Sequence, residues 1–211
     1  MHPNPAFRWP KNAHDQNDAD ERAALEAMIA NIGFGMIFGT TADGPRVAHV
    51  PIFSTGDGVL QFHLSKGNAL TKALPGLQAL CVVNGPEAYI SPDWYGMDDQ
   101  VPTWNYVSLE MEGPVRKMER EGLIALLDDV TAVNEARLAP KTSWHRDKME
   151  ISKFEKMVDS IVGFEMEILA WRPTMKLSQN KPAVAIDNAA DALDASGRRA
   201  MAHMMREFAP K

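Results

Sequence analysis

Cysteine is almost absent: the 211 residues contain one, Cys81. A single cysteine excludes an intrachain disulfide and any cysteine-based zinc cluster. Long apolar runs are missing too, and none approaches the ~18 residues that span a bilayer. The opening MHPNPAFRWPKN has no apolar stretch of the kind that marks a secretory leader. These absences point to a cytoplasmic protein with no membrane partner. Basic charge is scarce: 22 Lys and Arg stand against 28 Asp and Glu, a net charge of -6. That balance argues against broad nucleic-acid binding, which needs a basic surface to neutralise phosphates. A local basic patch, or one assembled across an oligomer, stays open.

Several catalytic signatures are also missing. No GxGxxG follows a strand, and no Walker sequence or HExxH occurs. Ser65, Ser91 and Ser178 lack the GxSxG context of a nucleophile elbow. His49 and His63 fall on strand-like segments without carboxylate partners at ligand spacing, so they read as structural histidines, and no metal site is expected. No internal repeat or low-complexity tract is present.

What is present is globular. Hydrophobic residues make up 45% and charged residues 24%, enough for one sizeable core. Residues 1–17, with Pro3, Pro5 and Pro10, read as an irregular arm. Residues 18–31 read as a helix capped by Asp18 or Asp20, with Leu25, Met28, Ile29 and Ile32 on its apolar face and Gly33 as its stop. Short runs at 34–41, 46–53 and 59–64, separated by Gly/Asp/Pro turns, predict a strand meander. A short helical segment follows, then strands at 77–85 and 87–91, an aromatic loop at 91–103, and a long alternating strand at 104–118. Helices are expected over 119–138 and roughly 148–160, one strand over 161–173, and an Ala-rich helix near 190–207. Adjacent hairpins without βαβ units predict an α+β arrangement, an antiparallel sheet or barrel with helices outside it.

Three segments carry more polar and aromatic chemistry than a core requires. In FHLSKGN (62–68) a hydroxyl, an ammonium and backbone N–H groups converge where a strand opens into a helical turn. This suits a phosphate, and it equally suits a plain helix cap beside a solvated lysine. SPDWYGMDDQVPTWNY (91–106) concentrates aromatics in a chain with only 8% of them. It suits either contact with a planar ring or a hydrophobic lid or dimer contact. KLSQNKP (176–182) is dense in hydrogen-bond donors between Pro173 and Pro182, and otherwise reads as a solvated loop.

AYISPDWY, VPTWNY, the strand ending in EGPVR, IVGFEMEI and KLSQNK, in this order, resemble the PaiB-type family of FMN-binding proteins labelled negative transcriptional regulators. MHPNPAF is similar to the family's start, with His2 where a Tyr is usual. The resemblance covers roughly residues 1–182. It implies an FMN-binding split β-barrel related to the pyridoxamine-phosphate-oxidase group, with peripheral helices, over 1–182, and a C-terminal helical extension over 183–211. Such barrels are usually homodimers with FMN in clefts at the dimer interface. The regulatory label concerns repression of protease and sporulation genes in some bacteria, and no helix-turn-helix is visible here to carry it. Two departures stand out: the ending after Lys181 is longer and more Ala-rich than usual, and Asp98 and Asp99 occupy a loop expected to be more neutral or basic.

With FMN as the implied cofactor, the three segments divide its parts. Ser65 and Lys66, with the backbone near Asn68, are expected at the phosphate. Trp104, Asn105 and Tyr106 are expected to line the ring, with Thr103 at its edge. Lys176, Ser178, Gln179 and Asn180 are expected to close the site from the partner chain. A lysine near the N1–O2 edge would stabilise negative charge on the reduced ring. Three functions remain open at this point: a flavin-binding regulator, an FMN-dependent oxidoreductase acting on a small molecule, and a non-flavin interaction protein whose aromatic loop is a dimer surface. No catalytic acid or base is fixed by the motifs.

Overall fold

The computed structural model describes Phe7 and residues 18–210. The arm expected over 1–17, Phe7 apart, and the side chains of Asp18 and Asp20 lie outside the described residues. Seven strands are present among the described residues: β1 (Phe34–Thr41), β2 (Gly44–Ser54), β3 (Val59–Ser65), β4 (Gln78–Ile90), β5 (Thr103–Lys117), β6 (Ile161–Glu167) and β7 (Ala170–Lys176). The helices are α1 (Asp18–Ile32), α2 (Ala69–Ala73), α3 (Arg120–Ala136), α4 (Ile151–Val158), α5 (Ala183–Ala195) and α6 (Arg199–Glu207). The strands run in the order β4-β1-β2-β3-β6-β5-β7, and β4 also pairs with β5. That extra pairing closes six strands into a ring, so the sheet is the antiparallel split barrel of an α+β protein.

The residues divide into two compact units. One takes its described residues from Met1–Leu25, Asn84–Glu110 and Arg172–Lys211, the other from Glu26–Val83 and Met111–Trp171. In the second unit the alternation of β3 turns Leu60, Phe62 and Leu64 inward and Gln61, His63 and Ser65 to the other face. β3 pairs with β6 along its whole length, which sets Phe62 opposite Phe164 with ring centroids 5.5 Å apart. Both rings are fully buried, and each burial stabilises the fold by roughly 1.5–3 kcal/mol. Ile37, Cys81, Met111 and Met166 complete this core. In the first unit the core includes Ile90, Tyr95, Val107, Leu109, Met175 and Leu177 with the buried faces of α5 and α6.

Three expected element boundaries differ. The turn-like Asn84-Gly85-Pro86 does not break a strand, and β4 runs through it. The register with β1 covers Leu80–Val82, so the N–H that Pro86 lacks removes no rung there. The single strand expected over 161–173 is two strands. The chain bends at Ile168, whose N–H reaches Gly58, and at Leu169, whose N–H reaches Glu112. The residues at the bend, Ile168 to Trp171, include no Gly, Pro or Asn to mark it. The Ala-rich helix starts earlier and is two helices, because Gly197 takes a φ of +82° and ends the first.

Candidate functional site

β5 carries Thr103, Trp104, Asn105 and Tyr106 at its start. A strand alternates its side chains, so Asn105, Val107 and Leu109 face inward while Trp104 and Tyr106 lie on the opposite face. The three consecutive residues expected along one ring are therefore shared between two faces. Trp104 is 54% exposed and meets Tyr89, 47% exposed, edge to face with centroids 6.2 Å apart. Asn105 is 1% exposed.

The inward face joins VPTWNY to KLSQNK. Asn105 Nδ2 donates to Ser178 Oγ at 2.9 Å, and the phenol of Tyr95 lies 2.7 Å from the same oxygen. Asn105 also donates to Met205 Sδ on α6 at 3.3 Å. Tyr95 and Ser178 are 2% and 4% exposed. Burial pushes the Tyr95 phenol above its ordinary pKa, partly offset by the bond to Ser178, so it stays protonated at neutral pH. Ser178 holds a left-handed φ of +65°, unusual for a residue with a side chain. Gln179 turns back on its own loop, donating to Met175 O at 2.6 Å and accepting from Leu177 N–H at 2.8 Å.

Beside this network is a cavity of about 230 Å³ in the same unit, lined in part by Phe7, Tyr95, Asp99, Val101, Thr103, Lys176, Asn180 and Lys181. Lys176 Nζ donates to Thr103 Oγ1 at 2.5 Å and lies 5.9 Å from the Phe7 ring centroid. Lys181 donates to Gln100 Oε1 and lies 5.4 Å from the Tyr95 ring centroid. Of the expected site residues, Thr103, Asn105, Lys176, Ser178 and Asn180 line this one cavity. Tyr95, Gln100 and Lys181 line it too; the first two fall in the aromatic segment, and Lys181 is one of the donors of KLSQNKP that was given no place at the cofactor.

Ser65, Lys66 and Asn68 belong to the other unit. The backbone N–H groups expected to be free there are mostly engaged. Lys66 N–H donates to Ser160 O, Gly67 N–H to Ser65 Oγ and Asn68 N–H to Ser65 O. Asn68 caps α2, its Oδ1 accepting from Leu70 N–H at 2.9 Å. The exposed Lys66 instead lines a cavity of about 280 Å³ with Lys117 and Arg120. Arg120 is already bound to Asp159 at 2.6 Å and to Glu155.

Each unit by itself has chemistry that suits one part of a flavin mononucleotide: in one, Lys66 and Lys117 can meet a phosphate, and in the other Trp104 and Tyr89 offer exposed aromatic surface to a planar ring. Cys81 is buried and its thiol is pushed up to about 12, so it offers no thiolate. Among the described residues no group of three His, Cys, Asp or Glu is placed to hold a metal. No helix among them is long and apolar enough to cross a membrane.

Residues 12–170 match a family described as a putative FMN-binding domain. The chain is 30% identical over 152 residues to protease synthase and sporulation protein PAI 2 of Bacillus subtilis strain 168, spanning 70% of this chain and 72% of that protein. Among solved structures, it is similar to an FAD- and heme-binding protein of Mycobacterium smegmatis. The TM-score is 0.54 and the identity 15%, over 72% of this chain and 70% of that one. It is also similar to a conserved hypothetical protein of Mycobacterium tuberculosis, with TM-score 0.55 and identity 12%, over 83% and 91%. At such identities the likeness is one of fold.

Proposed function

The chain belongs to the FMN-binding domain family, which makes FMN its cofactor, and we propose that it acts as a PaiB-type negative regulator in the cytoplasm. In this reading it is a homodimer, and FMN occupancy or redox state biases its association with another protein. The observation that carries the reading is the joining of VPTWNY to KLSQNK through Lys176–Thr103 and Asn105–Ser178. Two motifs separated widely in sequence meet with their donors gathered at one cavity.

Ser65 and Lys66 hold the phosphate in this proposal, with Asn68 fixing the turn that presents them. Trp104 and Tyr106 face the ring with Thr103 at its edge, and Lys176, Ser178 and Asn180 close the site from a second copy of the chain. Asn105 and Gln179 act from behind by holding Ser178 and the loop. Bound FMN supplies a centre that accepts a hydride or single electrons. The Lys176 ammonium, placed near the ring, stabilises negative charge on its reduced form. The net charge of -6 favours a protein over DNA as the regulatory partner. A second reading, an FMN-dependent oxidoreductase, is favoured by one observation: the Lys176–Lys181 cavity could seat a small anionic substrate.

FMN titration followed by visible absorbance tests the reading, with light scattering on the oxidised and the reduced protein. A perturbed flavin spectrum, a dimer mass, and a change in partner association on reduction are expected. Lys66→Ala should weaken FMN binding about ten- to hundredfold, the loss of one charge-assisted contact. An unperturbed flavin spectrum in the wild-type protein would remove the reading. Turnover of NAD(P)H by the loaded protein would favour the oxidoreductase.

A further inference from the structure

We propose that the cavity between Lys176 and Lys181 is a binding site for a small organic monocarboxylate. Both ammonium groups are half-buried, and both have neutral hydrogen-bond partners, Thr103 Oγ1 and Gln100 Oε1. Among the described residues neither lysine has a carboxylate within ion-pairing distance. Several cations elsewhere do have carboxylate partners: Arg206 with Asp191 and Asp194, Arg120 with Glu155 and Asp159, Lys141 with Glu135. A partly desolvated cation without a counter-charge is costly, and the faces of Phe7 and Tyr95 offset only part of that cost.

The lining then selects the anion. Among the described lining residues Asp99 is the one carboxylate, and it forms no ion pair with either lysine. Two ammonium groups and one carboxylate leave a single positive charge, which a monoanion neutralises and a phosphate dianion exceeds. Each ammonium has three N–H donors and uses one, so both retain donors for a carboxylate. Phe7, Tyr95 and Val101 supply apolar wall for an organic body. A volume of about 230 Å³ falls below the ~300 Å³ at which pockets for drug-sized ligands begin, so the occupant is smaller than a flavin. The proposal rests on the flavin reading in one respect: Lys176, placed there at the ring, would hold the carboxylate beside it as a substrate or effector.

The test is calorimetric titration of the full chain with benzoate, with and without FMN, compared with inorganic phosphate. One saturable benzoate site per chain is expected. Lys181→Met should weaken it about tenfold or more, while Lys181→Arg, which keeps the charge, largely preserves it. Because Lys181 has no assigned part in FMN binding, FMN affinity should be the same in both variants. Absence of saturable benzoate binding, or equal benzoate affinity in Lys181→Met, overturns the proposal. Phosphate binding as tight as benzoate overturns the assignment to a carboxylate. If wild-type protein binds benzoate and not FMN, the flavin reading fails and the carboxylate site stands.

Discussion

The hydroxyl of Ser178 lies 2.7 Å from the phenol oxygen of Tyr95, across 83 positions of sequence, and both residues are buried. The contact pins the KLSQNK turn to the aromatic segment that precedes β5. It also holds Ser178 in a left-handed backbone conformation that costs roughly 1–2 kcal/mol for a residue with a Cβ. The turn that brings donors to the cavity is therefore under local strain, and buried hydrogen bonds sustain it.

Ser178→Ala and Ser178→Gly separate those two effects. Alanine removes the hydroxyl and keeps the strain, leaving the Tyr95 and Asn105 polar groups short of a buried partner. A loss of about 1–3 kcal/mol is expected in urea denaturation. Glycine removes the same bonds but relieves the φ penalty, so its loss should be smaller by about 1 kcal/mol. Equal losses for the two variants would show that the backbone of residue 178 is not strained.

Asn105 and Lys176 should divide stability from binding. Asn105→Ala removes a buried side chain bonded to Ser178 and Met205, and should cost about 1–3 kcal/mol of stability. Lys176→Ala should leave stability within about 0.5 kcal/mol while weakening FMN binding. In the double variant the effects on FMN affinity should be non-additive, because both residues act through one turn. Denaturation and flavin titration on the same four proteins check this. Loss of the fold in Lys176→Ala without a specific loss of FMN binding would make KLSQNK a clamp alone.

His63 predicts a pH dependence. Desolvation by burial lowers its pKa below the ordinary 6.5, so the folded protein favours the neutral ring. Above about pH 6.5 both folded and unfolded states are neutral there, and His63 costs nothing. As pH falls through that value the unfolded chain takes up the proton first, and stability drops until the folded-state pKa is passed. His63→Gln should therefore flatten the fall in urea midpoint between about pH 7 and the folded-state pKa. An identical slope in the variant would show that His63 titrates normally.

Gly113 marks a close approach of strands. A Cβ built there would lie 1.6 Å from the backbone carbonyl oxygen of Glu167, so no side-chain adjustment can accommodate it. Gly113→Ala should cost more than about 3 kcal/mol or prevent folding, as judged by the thermal midpoint and soluble yield. A midpoint within a few degrees of wild type would mean that β5 and β6 can separate there without penalty.

Much of this was legible before any coordinates. β1, with Phe34–Thr41, coincides with its apolar run, and β2, β3 and β5 fall within one or two residues of theirs, because period-two alternation between glycine turns is a local signal. The motif pair VPTWNY and KLSQNK pointed to the FMN-binding family before any fold was seen. The bend at Ile168 was hidden because its cause is non-local: N–H groups reaching Gly58 and Glu112. Tyr95, Gln100 and Lys181 had no assigned place in the site for a similar reason. Their role comes from what they face, and nothing in their own neighbourhood distinguishes a cavity-lining lysine from a solvated one.

The sequence by itself determined the hairpin-rich α+β class, the near-absence of cysteine chemistry, the acidic balance and the family. These follow from composition, short-range periodicity and motif order. Tertiary structure alone decided that Asn105 faces inward while its neighbours Trp104 and Tyr106 face away. It alone set Ser178 between Tyr95 and Asn105, and left Lys176 and Lys181 without a carboxylate partner among the described residues. Those facts depend on which distant residue ends up opposite which. A strand's pleat fixes that its side chains alternate, but which face meets a core, a cavity or solvent is settled only when the whole chain has packed.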